Sequence, residues 1–396
     1  MKNVLLIHQD IKLNNSHSCI QTKYELLIKK LLGFQYLTTV IYGKNAKAPT
    51  AANNHHAEPN YYRKVAIPLL NEKRRVGVIR LINWFYFALR LIIYFYKTPV
   101  PDIIIFSSMP QLPIISIKLG FLCRRKPYLI TEIRDIWPLT GICNLNLKPN
   151  SIFCLVSKYC DFLIIQMSDL VISPIKNLDK YYARTFDKVV NVLYFPNQII
   201  YQKEVQPDKK TTTQSTKFRN HIGFFGKIGA GNNVQDFLPI LSHNHNMKLH
   251  IYSDHIAPNL YKYPNVKIFP AVDRETALEL MSRYQYLLMC TPPKTVYHYG
   301  LCSLKYYDYI QSGSAIIHCS EEKVNINTNE LGPLGIYWEQ SIEKNIAKLI
   351  HLSEFTESDL NSFAQIQKSN MCKSNNIGKS IAQLIKKLDK SLVEIK

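Results

Sequence analysis

Residues 222–237 read IGFFGKIGAGNNVQDF and open the second half of the chain. An apolar, strand-like run ends at Gly226, two more glycines follow at Gly229 and Gly231, and a helical pattern then begins. Glycines let a backbone approach an anion closely, and the free amides at the start of a helix point toward it. The spacing matches neither G-x-G-x-x-G nor the Walker signature. The stretch therefore indicates either a phosphate-binding loop, in which Lys227 adds a point charge, or a tight strand-to-helix turn.

The same alternation of short apolar runs and helical patterns extends in both directions from this loop. Runs of four to six apolar residues separated by helical stretches predict mostly parallel, doubly wound sheets. A polar segment without apolar periodicity lies between two such halves. The sequence therefore predicts an α/β fold of two Rossmann-like domains that face a cleft, where the carboxyl ends of both sheets would meet a ligand.

The predicted domain boundaries follow this division. They are a first Rossmann-like domain at 1–200, a linker at 201–220, a second Rossmann-like domain at 221–375 and a C-terminal helix at 376–396. Packing of that helix back on the first domain is one arrangement consistent with its position. Residues 43–63 are polar and contain two prolines, which predicts an extended loop.

The overall charge limits the class of partner. The 396 residues include 49 lysines and arginines against 29 aspartates and glutamates, a net charge of +20. Such a balance favours a polyanionic neighbour, either nucleic acid or an anionic membrane surface. The basic residues are dispersed, and no helix-turn-helix, zinc or RNA-binding signature is present, so a nucleic-acid-binding protein is the less favoured alternative.

The cysteines indicate the compartment. Nine are scattered along the chain, and none forms a C-x-x-C pair, which argues against a zinc knuckle or a thioredoxin motif. The first apolar run is too short for the hydrophobic region of a signal peptide. We therefore expect a cytoplasmic protein whose cysteines stay reduced.

One stretch raises the question of a membrane. Residues 76–96 read VGVIRLINWFYFALRLIIYFY, long enough to span a bilayer but interrupted by Arg80 and Arg90. A central arginine costs roughly 2.5–3.5 kcal/mol on insertion scales. Aromatic residues such as Trp84 and Phe85 beside basic ones suit a helix that lies in the plane of the membrane interface. A buried core helix and a true span remain the alternatives.

A second cluster follows in the C-terminal half. Residues 298–317 read HYGLCSLKYYDYIQSGSAII, with Lys305 and Asp308 one turn apart on the same face of a predicted helix. Ser303 stands where an N-cap is expected. A first helical turn that offers free amides, a lysine and a carboxylate suits a diphosphate and ribose hydroxyls. The alternative is an exposed Lys–Asp pair.

A third cluster follows a predicted strand of the first half. Residues 131–138 read TEIRDIWP, so charged side chains come directly after a buried strand, at the expected edge of the cleft. Asp135 and Glu132 are the candidate catalytic carboxylates, with Arg134 beside them. The alternative is a structural network between Arg134 and Asp135 beneath a loop.

Taken together, these motifs resemble the bacterial family 4 glycosyltransferases of the two-Rossmann-domain (GT-B) type, in particular the fucosamine-transferase-like branch of surface-polysaccharide assembly. The matching segments, in chain order, are R-D-I-W-P at 134–138, F-P-N-Q at 195–198, G-K-I-G at 226–229 and S-L-K-Y-Y-D at 303–308 with the following strand to 317. The resemblance covers nearly the whole chain.

The resemblance implies a retaining glycosyltransferase that uses a nucleoside-diphosphate sugar, with a UDP-sugar favoured, and needs no cofactor. The C-terminal domain would bind the donor, through the glycine loop, Lys305 and Asp308, and the N-terminal domain the acceptor, with Asp135 as the best candidate to orient or deprotonate its hydroxyl. The acceptor would be a lipid-linked saccharide at the inner face of the cytoplasmic membrane. No D-x-D motif is present, so we expect no metal.

The chain departs from the family pattern in four places. Asp308 replaces the usual glutamate, and Gly300 stands at the earlier glutamate. His8 and the residues after it occupy the place of a glycine-rich loop, and Ser107 and Ser108 that of a histidine. These differences leave open a non-transferring member of the fold, either epimerase-like or inactive.

Overall fold

A computed structural model describes residues 2–9, 20–21, 23–45, 62–70, 77–197, 200–201, 218–229, 231–254, 258–301, 303–322, 324, 334–374 and 376–391 of the chain. Most of the predicted linker, 202–217, and most of the predicted loop, 46–61, lie outside these residues. The described chain forms two compact units: Met1–Ile142 with Asn146–Pro196 and Ile377–Lys396, and Cys143–Leu145 with Asn197–Asn376.

The first unit is built on a seven-stranded parallel sheet with the order β4-β3-β1-β5-β6-β7-β8. Its strands are β1 (Asn3–Ile7), β3 (Leu37–Asn45), β4 (Tyr62–Leu69), β5 (Ile103–Ser107), β6 (Tyr128–Glu132), β7 (Leu170–Ser173) and β8 (Val192–Tyr194). The short strands β2 (Ile20–Gln21) of this unit and β9 (Ile200–Tyr201) of the second unit lie outside the two main sheets. All five residues of β5 are buried. Such continuous apolar strands are typical of parallel sheets that are covered on both faces.

Helices separate these strands. They are α1 (Lys23–Gly33), α2 (Val78–Lys97), α3 (Pro113–Gly120), α4 (Leu139–Leu145), α5 (Ile152–Met167) and α6 (Leu178–Phe186). Ser151 caps α5, since its hydroxyl accepts a hydrogen bond from the Cys154 amide at 3.4 Å. Helix α2 is anchored by Asn83, whose side-chain amide both donates to and accepts from the backbone of Leu70.

The second unit has a six-stranded parallel sheet with the order β12-β11-β10-β13-β14-β15. The strands are β10 (Phe218–Phe225), β11 (Lys248–Tyr252), β12 (Val266–Phe269), β13 (Tyr284–Cys290), β14 (Ala315–Ser320) and β15 (Gly335–Tyr337). The helices are α7 (Leu238–Ser242), α8 (Arg274–Ser282), α9 (Leu304–Gln311), α10 (Ile342–Glu354) and α11 (Glu357–Ser374), with 3-10 turns at Val234–Phe237, Pro258–Lys262 and Thr295–Tyr299.

The last helix, α12 (Ile377–Ser391), belongs to the first unit. The Tyr36 hydroxyl donates to Asp389 at 2.7 Å, and Leu384 and Leu388 are fully buried. Tyr36 lies just before β3, so the helix is tied to the sheet of the first unit.

Two elements of the first unit differ from the sequence-based prediction. The predicted loop 43–63 overlaps the end of β3 and the start of β4, a strand that the sequence did not indicate. Its residues Arg63 and Lys64 are exposed, as suits a strand at the edge of a sheet. The apolar pattern of residues 20–32 predicts a helix, but the helix begins only at Lys23, because Ile20–Gln21 form β2 instead.

Candidate functional site

The strand order of the second sheet changes direction at β10, which pairs with β11 on one side and β13 on the other. In open α/β sheets, ligands bind outside the carboxyl ends of the strands at such a point. Gly226 directly follows β10. The predicted phosphate loop therefore starts where this fold binds ligands.

The glycine loop is a tight turn. Gly226 has φ +120°, a backbone conformation that favours glycine, and its amide donates to the Tyr252 carbonyl at 3.0 Å. Gly229 and Asn232 form an isolated antiparallel bridge, with the Asn232 amide 2.9 Å from the Gly229 carbonyl. The segment is therefore a tight strand-to-helix turn. Its glycines also keep side chains away from the strand end, as a phosphate-binding loop requires.

The rest of the loop stays open to a ligand. Lys227 is exposed, and a Cβ atom added at Gly229 would meet no atom of the described residues within 4 Å. At Gly231, an added Cβ would lie 3.2 Å from the Tyr297 hydroxyl, so the 3-10 turn at Thr295–Tyr299 closes that side. A side chain at Gly231 would crowd this contact.

Helix α9 brings Lys305 to the same strand end. The Tyr309 hydroxyl accepts a hydrogen bond from the Phe225 amide at 3.0 Å, which ties α9 to β10. Lys305 lies one turn earlier on the same helix face. Its Nζ is 3.8 Å from the centroid of the Phe224 ring and 3.5 Å from the position a Cβ would take on Gly226. The structure therefore brings together two predicted donor-binding residues, Gly226 and Lys305.

The Lys305 amine is buried without a hydrogen-bond partner in the described part of the chain. The side chain as a whole is half-buried, while its terminal nitrogen has no solvent contact. Burial lowers the pKa of this amine to about 7, and Cys290 opposes that shift. The Phe224 ring face offers only part of the interaction that a buried cation needs. A diphosphate would supply the missing anion.

Two other predicted donor-site residues lie on α9. Ser303 occupies the N-cap position, but its hydroxyl makes no capping hydrogen bond. Asp308 pairs with Arg274 at 2.5 Å, and its side chain is 14% exposed. The expected free ribose-binding carboxylate therefore has an arginine partner from the start of α8, which the sequence pattern did not reveal.

Two further polar pairs stand at the carboxyl edge of the second sheet, and the sequence analysis missed both. His298 Nε2 lies 2.7 Å from a Glu321 carboxylate oxygen, after β14. His318 is fully buried with Nε2 3.0 Å from the Thr291 hydroxyl, and burial lowers its pKa to about 3. One feature of the sequence could have revealed both pairs, because Glu321 and Thr291 each follow directly after a buried strand.

In the first unit, Glu132 is fully buried at the end of β6. Its carboxylate pairs with the Lys23 ammonium and accepts a hydrogen bond from the Tyr24 hydroxyl, both on α1. The structure thus places this candidate catalytic carboxylate in a buried ion pair that holds α1 to the sheet. We expect its role to be structural.

Arg134 lies next to a histidine that follows β1. Its Nη1 is 3.3 Å from His8 Nε2, and the His8 ring meets Tyr24 edge-on at 4.7 Å between centroids. Burial lowers the pKa of His8 to about 3, with smaller contributions from the Arg134 and Lys23 charges. His8 is therefore neutral, and the Arg134 guanidinium contacts this ring while its charge also acts on Asp135.

Asp135 is the candidate carboxylate that remains exposed. Its pKa is nevertheless raised, because protein atoms surround the carboxyl closely even though it keeps solvent contact. The Arg134 charge opposes this shift and Glu132 adds to it. A solvent-accessible carboxylate with a raised pKa suits proton transfer or the orientation of a hydroxyl group.

The predicted membrane residues lie on α2 and divide into two pairs. Phe85 is 63% exposed and Arg90 is exposed too. Trp84 is half-buried, with its ring 6.4 Å from that of Phe153 on α5, and the Arg80 guanidinium stacks over it at 5.5 Å. Phe85 and Arg90 therefore face solvent, whereas Trp84 contacts the neighbouring helix α5 and Arg80 stacks on Trp84 from one turn earlier in α2.

Within the ranges described above, no group of three or more His, Cys, Asp or Glu side chains could hold a metal ion. The expectation of a metal-independent reaction stays a prediction.

No protein-family profile matches the chain, and no curated protein sequence matches it either. Solved structures do match over the whole length. Sucrose-phosphate synthase from Thermosynechococcus elongatus superimposes with a TM-score of 0.68 at 10% identity, covering 100% of both chains. HepE from Anabaena, solved in complex with UDP-glucose, gives 0.60 at 10% identity, covering 98% of this chain and 100% of that one.

WaaG, described as a glycosyltransferase involved in lipopolysaccharide biosynthesis, superimposes with a TM-score of 0.58 at 10% identity. The match covers 96% of this chain and 98% of WaaG. The predicted fold class is confirmed: two parallel-sheet α/β domains with the GT-B fold of these glycosyltransferases.

Proposed function

We propose that the protein is a glycosyltransferase that moves a sugar from a nucleoside-diphosphate sugar to a lipid-linked saccharide during assembly of a surface polysaccharide such as O-antigen or capsule. One observation carries the proposal: at the ligand-binding end of the second sheet, the buried Lys305 amine lies over the Phe224 ring and has no hydrogen-bond partner among the described residues. A buried cation in such a place needs an anion, and the donor diphosphate provides one.

The donor would lie along the second unit. The diphosphate meets the Lys305 amine and the first amides of α9, with Lys227 as a second, exposed cation. Asp308, oriented by Arg274, would accept hydrogen bonds from the ribose hydroxyls. The Ser303 hydroxyl is not used for capping and is available to a phosphate oxygen.

The reaction breaks the bond between the sugar C1 and the diphosphate oxygen, and the diphosphate leaves with the bonding electrons. Negative charge therefore grows on that oxygen in the transition state. A cation preorganised in a site of low polarity stabilises such charge more than it would in water. The acceptor hydroxyl oxygen bonds to C1, and Asp135 would orient this hydroxyl or take its proton.

Three relatives in fold support the sugar-nucleotide chemistry. HepE was solved with UDP-glucose, and a related trehalose-6-phosphate structure from E. coli with UDP-2-fluoro glucose. WaaG acts in lipopolysaccharide biosynthesis. We further propose that the donor is a UDP-sugar, that the protein is of the fucosamine-transferase-like branch, and that the reaction is retaining and metal-independent. These finer proposals rest on the motifs quoted from the sequence.

A lipid-linked acceptor lies in a bilayer, so we place the protein in the cytoplasm, peripherally associated with the inner membrane. The exposed apolar side chains of α2, among them Phe85, support this location. Phe87, Leu91 and Phe95 on the opposite side of the helix are fully buried in the first unit. Helix α2 meets the length and hydropathy conditions for a span, but a span would remove this inner face from the core.

The test is a transfer assay with a panel of UDP- and GDP-sugars, a bacterial lipid extract as acceptor and excess EDTA. We expect one donor to release its nucleoside diphosphate only when lipid is present, with radiolabel appearing in the lipid fraction. Donor consumption without lipid would instead identify an epimerase or a hydrolase. An activity that EDTA abolishes and Mg²⁺ restores would contradict the metal-independent mechanism.

Replacing Asp135 by asparagine is expected to lower kcat about tenfold to a hundredfold while donor affinity stays unchanged, because the lost hydrogen bond to a charged group is made to the acceptor. The raised pKa of Asp135 sets the sign of the pH effect. Wild-type kcat should fall as the pH decreases through that pKa, because a protonated Asp135 can no longer take the proton of the acceptor hydroxyl. The variant should lack this acid limb. An unchanged rate would remove Asp135 from the reaction.

A further inference from the structure

Three neighbouring helices of the first unit, α2, α3 and α5, carry an unusual share of exposed apolar surface. Sixteen of the 26 large apolar side chains that are exposed in the described part of the chain lie on these helices or in the turn after α3. They are Val78, Ile79, Leu81, Ile82, Phe85, Tyr86, Leu89, Ile93 and Tyr96 of α2, Leu119 and Leu122 at the end of α3, and Ile152, Leu155, Val156, Tyr159 and Phe162 of α5. We call this surface the three-helix face.

The three helices pack side by side. The Ser116 hydroxyl of α3 donates to the Ala88 carbonyl of α2 at 2.7 Å, and the Trp84 ring of α2 lies 6.4 Å from Phe153 at the start of α5. The Gln111 amide, just before α3, donates to Asp161 of α5 at 3.2 Å. Scattered apolar side chains are normal on a surface, but adjoining ones on packed helices mark an interaction site.

The charges on the three-helix face have one sign. The basic side chains of the three helices are Arg80, Arg90, Lys97, Lys118 and Lys158, and all but the half-buried Arg80 are exposed. The acidic residue of these helices is Asp161, which is 2% exposed and faces the core. The face therefore combines apolar side chains with a purely cationic set of charges.

We infer that the three-helix face is a docking surface for an anionic lipid bilayer, in which α5 lies in the interface beside α2. Apolar side chains on an in-plane helix enter the boundary between headgroups and acyl chains, and lysines and arginines beside them attract anionic lipids. A second copy of the chain fits less well, because a two-fold contact would set this cationic face against itself.

The proposed membrane surface includes α5 and is therefore larger than a surface formed by an in-plane α2 alone. Ile152 is 77% exposed, Leu155 52% and Tyr159 51%, so these side chains turn outward, while Cys154 and Leu163 face the core. Trp84 takes a different role from the one its sequence suggests, since it joins α2 to α5 within the face. Phe85 and Leu89 are the outward residues of α2.

The experiment is flotation of the full chain with vesicles of phosphatidylcholine containing about 30% phosphatidylglycerol, without any donor. Leu155→Ser with Tyr159→Ser should weaken binding about tenfold or more, and so should Phe85→Ser with Leu89→Ser, because each pair removes inserted apolar area. Arg90→Glu with Lys158→Glu should weaken it by about 25-fold or more, at about a factor of five for each of the two lost positive charges. Salt should weaken wild-type binding as well.

The matched control is Ile350→Ser with Ile366→Ser, two side chains of the second unit with 43% and 51% exposure. It should bind vesicles like the wild type. All variants change exposed positions, so circular dichroism and melting should stay unchanged. Wild-type binding that the α5 pair does not alter would overturn the inference. So would a wild type that ignores vesicles and forms dimers, in sedimentation velocity, that the same pair disrupts.

Discussion

Replacing Lys305 by methionine is expected to lower the transfer rate about a hundredfold to a thousandfold, while the protein becomes more stable. The rate falls because the amine stabilises the leaving diphosphate, and losing one preorganised donor of this kind costs about 2.7–4 kcal/mol. Stability rises because methionine fills a similar volume without leaving an unpaired cation in the protein. The buried amine has no hydrogen-bond partner in the described residues.

The expected gain in unfolding free energy is about 1–3 kcal/mol, the usual cost of leaving a buried polar group unsatisfied, reduced by the lost attraction to the Phe224 ring. Opposite signs for stability and activity are typical of a residue kept for function. Urea unfolding of the second unit measures the first quantity and the transfer assay the second. Lys227→Met, which changes an exposed lysine, should leave stability unchanged. A less stable and fully active Lys305→Met would contradict the assignment.

The pH dependence of donor binding follows from the same amine. Burial lowers the Lys305 pKa to about 7, so the empty site loses its positive charge as the pH rises through 7. The diphosphate binds the protonated form, and donor affinity should therefore decrease toward pH 9. The fold itself should gain stability over this pH range, because the unfolded chain keeps its lysine charged up to about pH 10.4 while the folded site releases the proton.

Replacing Glu132 by alanine is expected to destabilise the first unit by about 3–5 kcal/mol, since it removes the carboxylate from the buried ion pair with Lys23. The Tyr24 hydroxyl would lose its acceptor as well. Removing both charges, with Lys23→Met and Glu132→Leu, should restore most of the lost stability, because apolar groups of similar volume often replace a buried pair without cost. Denaturant unfolding of the single and double variants measures both effects.

An exposed ion pair provides the control. Arg283 and Glu279 pair one turn apart on the surface, so Glu279→Ala should change stability by less than about 0.5 kcal/mol. A Glu132→Ala protein that unfolds like the wild type but transfers no sugar would assign Glu132 to catalysis instead.

Sequence periodicity predicted most of the sheet strands, because buried parallel strands are short, apolar and bounded by polar residues. The pattern predicts strands at 170–173, 248–252 and 266–269, and β7, β11 and β12 have these bounds. It missed β4, where Arg63 and Lys64 hide the strand pattern at the sheet edge. It also missed β15 (Gly335–Tyr337), because the strand has only three residues and one of them is a glycine, which weakens the strand pattern.

The candidate donor site was predicted in part. The glycines and Lys305 each lie in a short local motif that the sequence shows directly, and the predicted start of α9 indicated the position of the amine. Its burial over Phe224 depends on how α9 packs on β10 through Tyr309, a contact across 84 residues that no local pattern contains. The same holds for Arg274 with Asp308 and for Lys23 with Glu132, whose partners are distant in sequence.

The most direct test of the donor site is isothermal titration calorimetry of UDP, UMP and uridine with the wild type and Lys305→Met, at pH 8 in buffers of different ionisation enthalpy. We predict that the wild type binds UDP more tightly than UMP and takes up close to one proton with UDP, because the diphosphate restores the charge of a largely neutral amine. Lys305→Met should lose this preference and the proton uptake while still binding uridine weakly. Equal UDP affinity and equal proton uptake in the two proteins would contradict a diphosphate held by Lys305.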